Sequence, residues 1–490
     1  MTETTPPAVL AVDFDTLDGY VRSLGAGTTG TAVELVDDLC VEPLDARRLH
    51  ECVAAVCAAL NAAGVEPGAT IAVRVGQDAQ SVVALLAAAC YGVAVLAAAD
   101  APRLPEGPFE IAALVTAVPC DDEAPVLVDV TDLAELKLVD ASSLPVRSPE
   151  DPALMLCTSG TTGDPKWVRL AHRNLVSAGR YIAGSLGLTP ADRGLSMMPL
   201  HHGHGITAGV LAPLFSGGGF VILDSKELDF LEEGLRSDAT WYSAAPSLHR
   251  SLLGAKRSWP QWFEGFRPRV IRSTSEALPA AEKAAVQEAY GAPVIEAYAL
   301  TEVPGHVCTQ VHGTDTEPGW MPPQLGVEVE TLGEDGRPTP AGEPGRIRVR
   351  GPNVMLGYLG HDPVGPGEWY QTSDLGVVRA DGAVAVLGRD SEAIKRGGET
   401  IVPAVVESLV EEHPDVERAR VCGMPDESLG EQICVAVISP RGTGDEARLL
   451  RELRIQLPPN LTPSKLRVVA EFPAGPGKMR RSDLRPLFAE

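Results

Sequence analysis

Across 490 residues, 66 acidic side chains outweigh 41 basic ones, for a formal net charge of -25. That balance argues against nucleic acid as a partner, since a binder of phosphate backbones needs a basic face. Hydrophobic residues at 44% and charged residues at 22% describe a folded globular chain too long for a single core, so at least two domains are expected. Nine cysteines without a CxxC pair fit a reducing cytoplasm better than a disulfide framework or a zinc site. The opening MTETTPPAVLAVDFD lacks the basic start and apolar run of a secretory signal.

In chain order, an amphipathic stretch from Ala46 to Ala63 stops at Gly64 and gives way to the strand-like TIAVRV, Thr70 to Val75. The alanine-rich run Val82 to Ala99 is too interrupted, at Tyr91 and Gly92, for a membrane span and reads as a buried helix followed by a strand VAVL. LSMMPL, GGGFVILD, ATWYSAAPS, PRVIRSTSE and PVIEAYALTE then read as strands or strand ends, with a helix from Ala280 to Tyr290. Helices alternating with short apolar strands predict an α/β sheet architecture. Beyond Pro318 the alternating runs GRIRVRG and YQTSDLGVVRADGAVAVLGR predict a small, mostly antiparallel β element. After Arg389 a compact α+β piece is expected, with helices at Pro403 to His413 and Asp445 to Leu457, and the boundary falls near Gly388 to Ser391.

The most informative stretch is LCTSGTTGDPKWVRL, Leu156 to Leu170. Gly160 and Gly163 can take backbone angles that turn successive amides inward, and such amides form an anion-binding concavity. Thr158, Ser159, Thr161 and Thr162 add hydroxyl donors, and Lys166 a mobile positive charge. No Ser or Thr follows the lysine, so this is not the GxxxxGK[ST] loop of nucleoside triphosphatases. Taken alone, the stretch reads equally well as an ordinary Gly/Thr surface loop.

TSGTTGDPK at 158–166, YALTE at 298–302, TSD at 372–374, GRDSEAIKRGGE at 388–399 and GK at 477–478 together resemble, in order and spacing, the adenylate-forming (ANL) acyl-CoA synthetase superfamily. The resemblance covers essentially the whole chain, and IRSTSEALP and IEAYALTE are similar to oxalyl-CoA synthetase-like and other bacterial acyl-CoA ligases. It implies a large N-terminal domain of two α/β sheets plus the small β element, residues 1–388, and a smaller mobile α+β C-terminal domain, residues 389–490. It also implies two steps: a carboxylate attacks the α-phosphate of ATP to give acyl-AMP, and the thiol of coenzyme A displaces AMP. Cations placed where charge builds on the phosphate lower the barrier more than they stabilise the ground state.

By the same resemblance, Thr158, Ser159, Gly160, Thr161, Thr162, Gly163 and Lys166 would hold the β- and γ-phosphates. Thr301 would meet the phosphate, and Glu302, with Thr161, a magnesium ion, for which a carboxylate is a suitable hard ligand. Ser275, Glu276, Ala277 and Tyr298 would bracket adenine, and Asp374 and Arg389 would hold the ribose. His202, Gly203, His204, Ala208 and Ala297 would border the acyl pocket. Ser391 would be the hinge, Lys395, Gly397, Gly398 and Glu399 would meet coenzyme A, and Lys478 would serve the first step. Taken singly, Tyr298 reads as a core aromatic, Asp374 as a turn former and Lys395–Arg396 as a solvated basic turn.

His201, His202 and His204 raise a metal-site reading, but the segment is broken by glycine and carries no acidic or cysteine ligand. Amino-acid-activating members of the superfamily place an aspartate in this segment. None occurs from Met197 to Leu223, which disfavours an α-amino acid substrate. The apolar run after His204 suits a sizeable apolar acid, and no cationic clamp for a second carboxylate stands out, which disfavours oxalate.

Two departures fall on the adenylation half. Pro473 to Lys478 is one residue shorter than the family's usual segment and lacks its hydroxyl residues. Such shortening can move a loop tip by up to about 3.5 Å, and misplacing a charge-stabilising group costs on the order of 10²–10³ in rate. Trp167 replaces the usual glycine; its indole, with roughly 200 Å² of surface, either fills the pyrophosphate region or turns away and packs on the domain. The resulting expectation is a ligase that mainly converts acyl-AMP to the thioester, with acyl-AMP supplied by a separate adenylating enzyme and no membrane partner. The alternatives are a complete ATP-dependent ligase, an enzyme that loads a carrier protein, and a non-catalytic acyl-adenylate binder.

Overall fold

The computed structural model describes residues 14–26, 35–36, 44–137, 144–159, 165–223, 228–442, 446–473 and 481–489. They form two compact units. The first comprises residues 1–328 and 349–370, and the second residues 329–348 and 371–490.

The first unit holds two seven-stranded sheets. One runs, in spatial order, Gly357–Tyr358, Pro165–Ala171, Pro152–Ser159, Val93–Ala98, Thr70–Val75, Ala113–Thr116 and Leu127–Asp129. Its centre is parallel and near-continuously apolar, as strands covered on both faces must be. The helix Ala46–Ala62 starts where the Asp45 carboxylate accepts the amide of Arg48 at 2.7 Å, satisfying one of the amides that open every helix. The helix Ala79–Tyr91 is buried along nearly its whole length. It ends at Gly92 because a Cβ there would lie 2.2 Å from the carbonyl of Ala69, so only glycine lets the chain turn straight into the strand Val93–Ala98. The predicted helix therefore ends at Tyr91, and the strand follows as expected.

The second sheet runs Leu35–Val36, Gly219–Ile222, Arg193–Ser196, Trp241–Ala244, Val270–Ser273, Val294–Leu300 and Val303–Thr309. Its first six strands are parallel, so their carboxyl ends share one edge. The α/β fold class expected from the sequence is the one observed. Among the described residues no helix is long and apolar enough to cross a membrane.

In the second unit, the four-stranded sheet Glu328–Leu332, Pro344–Arg350, Tyr370–Val378 and Val384–Arg389 precedes a five-stranded α+β piece. The latter packs the helix Pro403–Glu411 over the long hairpin Arg418–Asp426 and Gly430–Ile438, around Val406, Val410, Val421 and Ile433.

Candidate active site

Parallel sheets bind ligands beyond the carboxyl ends of their strands, and in the second sheet most of the first unit's predicted residues follow those ends. His201 to His204 follow Arg193–Ser196, Ser275 to Ala277 follow Val270–Ser273, and Tyr298 to Glu302 close Val294–Leu300. Thr274 Oγ1 donates to the carbonyl of Ala297 at 2.8 Å, tying the Ser275 turn to the strand that carries Tyr298. Ser275 itself sits at φ +78, a left-handed angle that no other non-glycine described residue adopts and that clusters at ligand sites.

The residues expected to meet phosphate include neighbours on one strand of the first sheet. Successive strand residues face opposite sides, so Lys166 and Trp167 diverge. Lys166 Nζ lies 5.2 Å from the centroid of the Tyr358 ring, close enough for a cation–π contact. The Tyr358 hydroxyl in turn donates to Glu302 Oε1 at 2.7 Å. Thus Lys166 and Glu302, 136 positions apart in sequence, flank a single tyrosine. Trp167 is buried on the other side among Val93, Val95 and Met155, with Phe109 meeting its ring edge-on at 5.0 Å. Of the two orientations left open by the sequence, the indole takes the one turned away into the sheet's packing. Glu302 Oε2 has no hydrogen-bond partner among the described residues, and a carboxylate oxygen suits magnesium. Gly160, Thr161, Thr162, Gly163 and Lys478 lie outside the described residues.

The segment after the histidines folds as a π-helix, Gly205–Leu211, continuing into the helix Ala212–Phe215. π-turns of this kind recur at functional sites. A small cavity lies against it, lined by Leu195, Met197, His204, Ala208, Trp241 and Ser243. Ala208 and His204 therefore come together as predicted, with Gly203 beside them, its carbonyl accepting from Thr207 Oγ1 at 2.8 Å. His202 is exposed, its ring centroid 4.2 Å from that of His201 and tilted to it at 52°. Among the described residues no cluster of His, Cys, Asp or Glu could hold a metal.

The sequence reading missed the residues behind that cavity. Arg272, 1% exposed, donates from its two terminal nitrogens to Ser243 Oγ at 3.1 Å and to the carbonyl of Gly305 at 2.8 Å. It forms no ion pair among the described residues, its Nε has no partner, and burial pushes its pKa down to about 9. Ser243 Oγ also lies 2.7 Å from His204 Nε2, and His204 Nδ1 lies 3.3 Å from Ser275 Oγ. A cation thus stands one hydrogen bond behind the cavity wall, outside the segment in which no clamp stood out. Its signal in the sequence is a lone arginine after Val270 and Ile271, nearly fifty positions beyond that segment.

Within the second unit, Asp374 and Arg389 are directly paired across adjacent strands, with their charged ends 3.2 Å apart. Thr372 Oγ1 accepts the amide of Asp374 and donates to the carbonyl of Ile347, which fixes this part of the strand. Ser391 lies exposed in the 3-10 turn Asp390–Glu392. Next comes the hairpin Ile394–Arg396 and Glu399–Ile401, closed by Gly397 at φ +60 and Gly398 at φ +85. Two consecutive positive φ values define the tight hairpin turn that glycine serves best. Lys395 Nζ donates to Thr400 Oγ1 at 2.8 Å, and Asn460 donates to Glu399 at 3.0 Å.

With Ser275, Tyr298 and Glu302 at the ends of parallel strands and a glycine hairpin in the second unit, the fold is that of an adenylate-forming ligase. The chain belongs to the AMP-binding enzyme family, whose model matches residues 42–359, with the family's C-terminal domain matching residues 405–476. It is 33% identical over 380 residues, 74% of this chain and 73% of the relative, to sulfoacetate--CoA ligase of Cupriavidus necator. It is 34% identical over 338 residues to oxalate--CoA ligase of Arabidopsis thaliana, 67% of this chain and 65% of that enzyme's length. Among solved structures, ATP-bound MatB from Rhodopseudomonas palustris superposes with a TM-score of 0.83 at 24% identity, over 96% of this chain and 99% of that one, which establishes the fold. The chain is an acyl-CoA ligase of the AMP-forming class.

Proposed function

We propose that this chain carries out both steps, activating a carboxylic acid with ATP and magnesium and passing the acyl group to coenzyme A. The observation that carries this reading is the placement of Trp167 in the packing of the first sheet, while Lys166, Tyr358 and Glu302 face one another on the other side. One of the two arguments for a weakened first step is thereby withdrawn. The other, the shortened segment before Lys478, lies outside the described residues, and nothing supports a separate adenylating partner. Glu302 would hold magnesium, which when bound neutralises phosphate charge, and Lys166 would meet the phosphates. Asp374 and Arg389 would hold the ribose, and residues 389–490 would turn about Ser391 to bring Lys395, Gly397, Gly398 and Glu399 to the thiol. The test is pyrophosphate release with ATP, magnesium and a panel of acids, run beside thioester formation from synthetic acyl-AMP and coenzyme A. Pyrophosphate formed at a rate matching thioester formation supports the complete ligase. A first step slower by about a hundredfold or more returns the thioester-only reading.

Arg272 favours one refinement of the acid. The apolar walls suit the sizeable apolar acid expected from the sequence, but a buried cation is costly unless an anion compensates it. An acid with a second anionic group at its far end supplies that charge, and the relatives named for sulfoacetate and oxalate both act on such acids. Ranking kcat/KM over matched pairs, a monocarboxylic acid and its ω-sulfonate or ω-carboxylate, decides between the two. A preference for the monoacid sinks the refinement.

A further inference from the structure

We propose that Arg272 is a positioning residue that acts through Ser243 on His204, holding the imidazole as the tautomer protonated on Nδ1, so that the acyl cavity is walled by a hydrogen-bond relay of fixed direction ending at the Ser275 turn. The relay rests on the reading of this cavity as the acyl site, but its geometry is independent of which acid binds.

The direction follows from the donor inventory. A guanidinium has donors only, so Ser243 Oγ accepts from Arg272 at 3.1 Å. The hydroxyl hydrogen of Ser243 then needs an acceptor, and among the described residues the one within reach is His204 Nε2, at 2.7 Å. An imidazole protonated on Nε2 would bring a second donor to the same oxygen and leave the hydroxyl hydrogen without a partner, a loss that is costly at a site this buried. With Nε2 accepting, the ring hydrogen sits on Nδ1, which faces Ser275 Oγ at 3.3 Å. The other ring nitrogen decides a histidine's tautomer in just this way.

Electrostatics reinforces the assignment. Burial first, then the charges of Arg272, His249 and His202, hold His204 well below the usual histidine range. Those three are the titratable groups facing it, from the strand Val270–Ser273, the helix Pro246–Ser258 and its own segment, and none is acidic. Burial and these charges favour the neutral imidazole, as a relay of one fixed direction requires. The strained φ of +78 at Ser275 then has a reason: the turn presents its hydroxyl to a donor that is always present.

The experiment is long-range ¹H–¹⁵N correlation on the full-length protein labelled at histidine, with His204 assigned by its loss in His204→Gln. The expected spectrum shows His204 protonated on Nδ1 and unchanged from pH 6 to 8. Protonation on Nε2 overturns the proposal outright. Ser243→Ala, which leaves Arg272 in place, is expected to mix the two tautomers, and an unchanged Nδ1–H signature in it also overturns the relay. Arg272→Met is expected to move the acid limb of kcat/KM upward by about one pH unit, while Arg272→Lys restores most of it. Sign and cause agree, because removing a cation raises the pKa of the neighbouring imidazole. Unaltered pH limbs in both variants count against Arg272 acting on His204. Because the tautomer is read without substrate, its failure is distinct from failure of the ligase reading, which the pyrophosphate and thioester assays decide.

Discussion

The wall around His204 in the first unit and the glycine hairpin of the second are built on opposite principles. Around His204, position comes from burial: Arg272, Ser243 and His204 hold one another in a chain of hydrogen bonds with little solvent to compete. Around Lys395, position comes from backbone shape: Gly397, Gly398 and Glu399 are exposed, and two positive φ angles set where the strands turn. A buried network fails when one partner is removed, because the others are left unsatisfied. A glycine turn fails when a side chain is added. The two regions are therefore broken by opposite kinds of substitution.

The largest effect is expected at Trp167. Trp167→Gly removes an indole from among Val93, Val95, Met155 and Phe109, which costs about 3–5 kcal/mol of stability by the usual cost of emptying a core site. Chemical denaturation measures this, and the adenylation rate of the folded fraction should not rise. A gain in adenylation without loss of stability would place the indole against the nucleotide after all. Glu302→Ala comes next. On the side of the strand that faces Tyr358, it should cut pyrophosphate release by about 10²–10³ while sparing thioester formation from acyl-AMP. Equal losses in both assays would make Glu302 a structural residue.

The sequence and the structure agree most closely where spacing alone determines geometry. The helix-strand alternation was readable because residues near in sequence form each element, whereas the hairpin at Gly397–Gly398 and the Asp374–Arg389 pair depend on strand register that only the structure supplies. The wall behind His204 was not readable in that way. Its members, at positions 204, 243, 272 and 275, come from two strands, the turn after the second and the residue that opens the π-turn, and only the parallel pairing of those strands brings them together. Tyr358 escaped notice for the same reason. It joins Lys166 to Glu302 from an edge strand of two residues, too short to carry a periodic signal. Trp167 shows the converse error: a substitution in a motif was weighed as chemistry, while the alternation of the strand had already sent its side chain to the other face.

At the hairpin, Gly398→Val forces a β-branched residue to φ +85, at a cost of about 1–3 kcal/mol. Thioester formation from acyl-AMP should fall by about tenfold to a hundredfold as the turn shifts, and pyrophosphate release should be nearly unchanged. Parallel losses in the two assays would mean that the turn merely holds the second unit together.

The smallest effect is expected at Tyr358, and it tests whether one ring organises the phosphate side. Tyr358→Phe keeps the aromatic face under Lys166 but removes the hydroxyl that donates to Glu302 Oε1 at 2.7 Å. A hydrogen bond to a charged acceptor contributes about 1.5–3 kcal/mol when buried. At this half-buried position the lower end applies, a loss in pyrophosphate release of about tenfold or somewhat less. Tyr358→Leu removes the ring as well, freeing Lys166 from its cation–π contact, a further loss of about two- to fivefold. If the ring serves only to orient Glu302, the two variants will have equal rates. If it holds both charges, the Leu variant will be slower, and the difference measures how much of Lys166's placement depends on a residue 192 positions further along the chain.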